Sequence, residues 1–320
     1  MRILVTGGAG FIGSHLCERL IQMGHQVVAL DDLSTGVASN LHGLRESSGF
    51  QLVEGSILDQ DLVLKLTSNS DYVFHLAAAV GVFNIVNHPL SSLMTNIRGT
   101  ENVLEASVHS GIPVLLASSS EVYGKNTSDS LKESDDRILG SPLTLRWSYS
   151  EAKAIDESLA YAYFVEKNLQ TRIVRFFNTV GPRQLGRYGM VVPRFVSAAI
   201  RNEPISVYGD GAQTRCFAHV FDVIDALVAV AFSEKTVGRV LNIGNSFEIS
   251  INDLAAKIVL ETNSASKIVH VPYSEAYGEG FEDMERRVPN LDSISKLVGW
   301  SPKRDLVQII QDIKLELTQA

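Results

Sequence analysis

The sequence predicts an α/β protein built on a doubly wound parallel sheet, with a smaller C-terminal lobe assembled from discontinuous segments. Three observations predict it. Short β-branched runs alternate with helix-length segments through the first half of the chain. Several of these runs are apolar without alternation, as parallel strands buried on both faces are. After about residue 180 the rhythm loosens, and Gly181-Pro182, Glu203-Pro204, Gly209-Asp210-Gly211 and Val288-Pro289-Asn290 punctuate shorter elements.

In chain order, Arg2–Val5, Gln26–Leu30, Phe50–Val53, Tyr72–Ala77, Pro113–Ala117 and Thr171–Phe176 read as strands. The segment between the first two carries Ile12, Leu16, Leu20 and Met23 at helical spacing and is stopped by Gly24. Val240-Leu241-Asn242-Ile243 reads as one more strand returning to the main sheet. The expected division is therefore a first domain of residues 1–180, joined by about 216–247, with the second lobe drawn from 181–320. The polar stretch Lys125–Asp136 reads as an exposed loop whose charges are solvated.

A length of 320 residues is what about two domains require. With 45% hydrophobic and 20% charged residues, disordered and fibrous classes are excluded. The net charge of −8, with no basic block, argues against nucleic-acid or anionic-membrane partners. Cys17 and Cys216 are too few for a disulfide framework and match a reduced compartment. The first residues run straight into a glycine-rich turn without a signal-peptide pattern, and no run approaches the roughly 20 apolar residues of a membrane helix. The expectation is a cytoplasmic protein.

That turn, Thr6-Gly7-Gly8-Ala9-Gly10-Phe11-Ile12-Gly13, follows a strand and opens a helix. Glycines at 7, 10 and 13 permit a tight turn, close approach of a pyrophosphate and close helix–strand packing, and the helix N-terminus offers free N–H groups to phosphates. The second strand ends at Asp31, whose carboxylate would accept hydrogen bonds from ribose hydroxyls and repel a 2′-phosphate. NAD is thereby expected over NADP. Asp32 is adjacent and fits a capping or solvent-facing role as well.

Tyr149 and Lys153 are four apart, so on a helix they share one face. An ammonium there is expected to lower the phenol pKa, so that the tyrosine serves as a base. Ser118-Ser119-Ser120-Glu121-Val122-Tyr123-Gly124 follows the fifth strand, at the sheet edge where open α/β folds bind ligands, and a hydroxyl there can share the moving proton.

Glycine turn, serine run and Tyr-x-x-x-Lys together resemble the extended short-chain dehydrogenase/reductase family of nucleotide-sugar epimerases, dehydratases and decarboxylases, a Rossmann-type fold. The resemblance spans essentially the whole chain. It takes in Asp31-Asp32-Leu33-Ser34-Thr35-Gly36, His75-Leu76-Ala77-Ala78, Asn96 with Gly99-Thr100, Asn178 with Gly181-Pro182-Arg183, and Arg215-Cys216-Phe217. Ser56, before Ile57, stands where relatives carry an Asp that contacts adenine. The resemblance implies NAD and a sugar nucleotide whose 4-hydroxyl is oxidised transiently. Tyr149 would take the hydroxyl proton, Ser119 would bridge it and Lys153 would hold the nicotinamide ribose. Gly7, Gly10, Phe11, Ile12, Gly13, Asp31, Asp32, Ser34, Thr35, Gly36, Ser56, Ile57, Leu76, Ala77, Ala78 and Asn96 would surround the cofactor.

The residues after Ser119 distinguish branches. Dehydratases carry Asp-Glu there, and this chain has Ser120-Glu121. Ser-Glu before Val-Tyr-Gly, Arg146-Trp147-Ser148-Tyr149, and Tyr277-Gly278-Glu279-Gly280-Phe281-Glu282-Asp283 leading to Arg287 resemble the UDP-glucuronate decarboxylase group. On that resemblance Glu121 would manage protons near C5, and Arg287 would contact the sugar carboxylate or the diphosphate. Asn178 and Arg215 would grip the diphosphate and Tyr208 would flank the base, uracil by default. Ala78-Ala79-Val80-Gly81-Val82 leans instead toward 4-epimerases, which stay the alternative. A homodimer through helices at Pro89–His109 and Ser150–Lys167 is expected, and no metal, since no histidines take ligand spacing.

Overall fold

The computed structural model describes residues 1–319 except 82–84, 86, 187–189, 273–274, 276–283 and 285. The first half alternates as its sequence does. Strand β1 (Arg2–Thr6) leads to helix α1 (Phe11–Gln22), and β2 (Gln26–Asp31) and β3 (Phe50–Glu54) follow. Next come α2 (Gln60–Ser68), β4 (Tyr72–His75), α3 (Pro89–Ser110), β5 (Val114–Ser119), α4 (Ser148–Lys167) and β6 (Thr171–Phe176). Helix α1 ends because Gly24 takes φ +82°, a left-handed conformation open to glycine.

Among the described residues the main sheet has seven strands in the order β3-β2-β1-β4-β5-β6-β11, where β11 is Val240–Ile243. Every neighbouring pair is parallel. The order reverses between β1 and β4, so the carboxyl ends of β1, β4 and β5 open one crevice. One face of the sheet is covered by a core holding Leu16, Leu20, Phe74, Val223, Leu227, Ile294 and Trp300, and the other by Leu4, Val28, Val103, Leu104, Leu116 and Ile173.

The remaining segments are short strands β7 (Thr179–Val180), β8 (Ile205–Tyr208), β9 (Thr214–Cys216), β10 (Ala218–His219), β12 (Glu248–Ser250) and β13 (Ile268–Val271). With them run α5 (Val191–Ile200), α6 (Val220–Ala231), α7 (Ile251–Thr262), α8 (Asp292–Val298) and α9 (Leu306–Gln319). A separate core of Phe195, Val196, Ile205, Val207, Leu254, Ile258, Ile309 and Ile310 holds α5, α7 and α9 together. Among the described residues no helix is long and apolar enough to cross a membrane.

Two local readings differ from the structure. The fourth strand stops at His75 rather than Ala77, because Leu76 to Ala78 turn away to line the crevice. The stretch Lys125–Asp136 is anchored as well as exposed. Leu131 is fully buried and its N–H donates to the Val288 carbonyl (2.8 Å), while Glu133 accepts from the Asn242 N–H (2.9 Å) and the Ser293 hydroxyl (3.0 Å).

Candidate active site

A cleft of about 1070 Å³ opens over the carboxyl ends of the strands and is walled on the far side by the second lobe. At one end lies the glycine-rich turn. The Gly7 N–H donates to the Leu30 carbonyl (2.8 Å), and Gly7 takes φ +71°. A Cβ on Gly13 would sit 2.0 Å from the Gly7 carbonyl oxygen, so a side chain there would push the turn off the helix. Helix α1 starts after an extended Gly10 with no side chain capping it, which leaves its first amides to a ligand.

Asp31 is buried. Its carboxylate accepts from the Ala9 N–H (2.9 Å) and the Leu33 N–H (2.9 Å) while still lining the cleft. Burial pushes its pKa up and the backbone amides pull it back. Asp32 accepts from the Ser34 N–H (3.0 Å) and hydroxyl (2.6 Å), closing the next turn. Phe11, Ile12, Ser34, Thr35, Ile57, Leu76, Ala77 and Ala78 line the same end. An anion-ready helix start, a glycine cradle and a buried acid at the second strand together fit a dinucleotide.

Three residues expected there are placed otherwise. Gly36 packs beside Asp31, where a Cβ would come within 2.7 Å of the carboxylate. Asn96 is buried and brackets Ala79 through its N–H (2.8 Å) and carbonyl (3.2 Å), shaping the exit from β4. The Ser56 hydroxyl accepts from the Leu58 N–H (3.2 Å). None of the three is among the residues lining the cleft.

The centre of the cleft holds Ser119, Tyr149 and Lys153. Ser119 lies within reach of the Tyr149 phenol and acts on it. The phenol pKa is raised, not lowered as the sequence led one to expect: burial comes first, then the carboxylates Glu121 and Asp156, with Ser119 pulling the other way. The Lys153 ammonium is engaged by Asp156 at 3.1 Å, one turn farther along α4.

Beside this group is a buried three-charge cluster. Glu121 receives Arg146 Nη1 on Oε2 (2.5 Å) and Arg287 Nη1 on Oε1 (2.6 Å). Arg287 Nη1 also donates to the Ser120 hydroxyl (3.2 Å). Burial alone would raise the Glu121 pKa, but the two guanidiniums more than offset it and hold it down at about 2. Glu121 is therefore held in its anionic form by the two guanidiniums. Arg287 Nε is buried with no hydrogen-bond partner among the described residues.

On the second-lobe side, Asn178 donates to the Cys216 carbonyl (2.9 Å) and Arg215 to the Thr214 carbonyl (2.8 Å). The Arg194 guanidinium stacks 3.9 Å over the Tyr208 ring. Asn178, Arg194, Tyr208 and Arg215 line the cleft, as does Arg287. The segment 276–283, which carries the decarboxylase-like Tyr277 to Asp283, lies outside the described residues, as does Val82.

Sequence reasoning missed three participants. Arg146 stood inside a quoted motif without a role, and Arg194 belongs to no motif. Asp156 had a visible signal, since an acid three residues after Lys153 shares its helix face. His75, expected to be a packing residue, is fully buried between the Thr6 (2.8 Å) and Thr100 (3.1 Å) hydroxyls; burial, then Lys153, lowers its pKa to about 3.

Comparison with known proteins agrees with this geometry. Residues 3–244 match the model of the NAD dependent epimerase/dehydratase family. The chain is 41% identical over 302 residues to a UDP-N-acetyl-alpha-D-glucosaminuronate decarboxylase of Bacillus cytotoxicus, covering 94% of this chain and 92% of that one. It is 35% identical over 303 residues to UDP-glucuronic acid decarboxylase 1 of Xenopus tropicalis, covering 94% and 68%. The crystal structure of UDP-glucuronic acid 4-epimerase from Bacillus cereus, in complex with UDP-glucuronic acid and NAD, superimposes with a TM-score of 0.90 at 29% identity, covering 100% and 99% of the two chains. The glycine cradle, the Ser119–Tyr149–Lys153 group and the match along most of the chain make this protein a member of the NAD dependent epimerase/dehydratase family, within the extended short-chain dehydrogenase/reductases.

Proposed function

We propose that this protein decarboxylates a UDP-hexuronate, UDP-glucuronate or its 2-acetamido counterpart, through a transient 4-keto sugar. The observation that carries the reading is the Arg146–Glu121–Arg287 cluster beside Ser119 and Tyr149: two buried cations on one anion leave a positive surplus where the sugar ring would lie. A C6 carboxylate answers that surplus, and a neutral hexose does not. The names of the relatives support the same substrate class.

The glycine turn, Asp31 and Lys153 would hold NAD, which when bound supplies the acceptor and later the donor of a hydride. Tyr149 takes the 4-hydroxyl proton, with Ser119 keeping the oxygen in reach. The ketone at C4 is β to the carboxylate. Breaking the C5–C6 bond releases carbon dioxide and leaves the electron pair as an enolate across C4 and C5. Ser119 and Tyr149 stabilise the enolate oxygen. Solvent supplies the proton taken up at C5, Tyr149 returns its proton to O4 as the bound cofactor would return the hydride at C4, and the product is one carbon shorter with no net oxidation. Glu121 keeps both guanidiniums in register at the cleft wall. Asn178 and Arg215 would take the diphosphate, and Tyr208, backed by Arg194, would flank the base.

The reading further assigns cofactor binding to residues 1–180 with about 216–247, and the sugar nucleotide to the remainder of 181–320. It makes the protein a cytoplasmic homodimer through α3 and α4, where Ile155, Tyr161 and Val165 are exposed on one helix. The test is mass spectrometry of the sugar nucleotide after incubation of the NAD-loaded protein with each UDP-hexuronate. A product lighter by one carbon dioxide supports the reading. Unchanged mass with altered retention would mean 4-epimerisation, as in the structural relative from Bacillus cereus.

A further inference from the structure

Asp156 has no exposed surface, and an ionisable group so placed needs a partner. Its partner is Lys153, Nζ to Oδ2 at 3.1 Å. The two are three residues apart and Tyr149 is four before the lysine, so phenol, ammonium and carboxylate follow one another down a single face of α4. Thr100 of α3 lies against the same carboxylate, and its hydroxyl is 3.1 Å from His75 Nε2. His75 Nδ1 is in turn 2.8 Å from the Thr6 hydroxyl, which accepts from the Ala77 N–H (3.2 Å) at the cofactor end of the cleft. A lysine side chain is long and flexible; here a fully buried carboxylate holds its end.

We propose that Asp156 is a positioning residue for the proton transfer at Tyr149: it anchors the Lys153 ammonium beneath the phenol and withholds part of that positive charge from it. The inference rests on the reading in which Tyr149 moves the 4-hydroxyl proton. The charged and titratable groups that face this unit are Glu121, from the segment after β5, with Arg146 and Arg287 paired to it, His75 of β4, and, toward Asp156, Glu157 on α4 itself, which is paired with Arg175. His75 is held neutral, so the negative charges acting on the phenol are those of Glu121 and Asp156. Removing the last favours phenolate.

The experiment compares Asp156→Asn and Asp156→Ser, two neutral replacements of different size, with the wild type. Each NAD-loaded protein is assayed for turnover from pH 5 to 10, and NAD affinity is measured separately by calorimetry. The expected result is that the acidic limb of the rate profile moves to lower pH by about one unit in both variants. NAD binding should stay within about threefold. A limb that does not move, with turnover retained, would overturn the proposal. So would failure of both variants to fold, since Asp156 would then be a structural ion-pair partner. Failure of the parent reading looks different: Tyr149→Phe would still turn over, whatever Asp156 does.

Discussion

Two buried arginine–glutamate clusters flank the end of β5, and they are built to opposite ends. On one side Glu157 receives Arg175 through Nε (2.9 Å) and Nη2 (2.7 Å), and the Ser118 hydroxyl (2.5 Å). Arg175 also donates to the Glu133 carbonyl (3.1 Å) and stacks 4.7 Å over Tyr123. One charge meets one charge, and neither residue lines the cleft. On the other side Glu121 faces both Arg146 and Arg287, all three line the cleft, and Arg287 keeps a buried N–H unused. Strand alternation sorts the two, sending Ser118 to the closed cluster and Ser119 to Tyr149. The same pair of residue types is scaffold where its charges and hydrogen bonds close, and site where they do not.

Four substitutions or conditions would break or sharpen this contrast. The largest effect belongs to the base: Tyr149→Phe should cut turnover by roughly 10³-fold with NAD binding retained, read by product formation and calorimetry. Next, Arg287→Met should lower kcat/KM for a UDP-hexuronate by on the order of 100-fold while the fold survives. If it did no more than a surface arginine would, the open cluster would be scaffold too.

The closed cluster should answer in stability instead. Glu157→Gln leaves Arg175 buried without its counter-charge and should cost about 3–5 kcal/mol in denaturant unfolding. Activity per folded molecule should change much less. The smallest effect is one of pH. Because Glu121 has a folded-state pKa near 2 against an ordinary 4.5, its contribution to stability is complete above about pH 4.5 and is lost as pH falls through that window. Thermal melts of wild type and Glu121→Gln should therefore converge in acid, and parallel melting curves would contradict the clamp.

Much of this was legible in the sequence, and the reasons are local. The glycine turn, Asp31, the serine run and Tyr-x-x-x-Lys each act through residues a few positions apart, so spacing alone places them on one turn or one helix face. The open cluster is not local: Glu121 and Arg287 are 166 residues apart, and only the folded chain brings them together. Burial is equally absent from a sequence, and it is burial that raises the Tyr149 phenol pKa against the pull a neighbouring ammonium would exert. The stretch Lys125–Asp136 was judged by its charges, when Leu131 and Glu133 decide its path. Asp156 was readable, at helical spacing from Lys153, but an acid at that spacing is commonly a surface ion pair and its burial came from the fold.

The central claim is that the surplus cation of the open cluster recognises a C6 carboxylate. Its most direct test is calorimetric binding of UDP-glucuronate and UDP-glucose, which differ there, to NAD-loaded wild type and Arg287→Met. The account predicts that the wild type binds UDP-glucuronate tighter by about tenfold or more, and that Arg287→Met removes the preference. Equal affinities in the wild type, or a preference untouched by Arg287→Met, would contradict it.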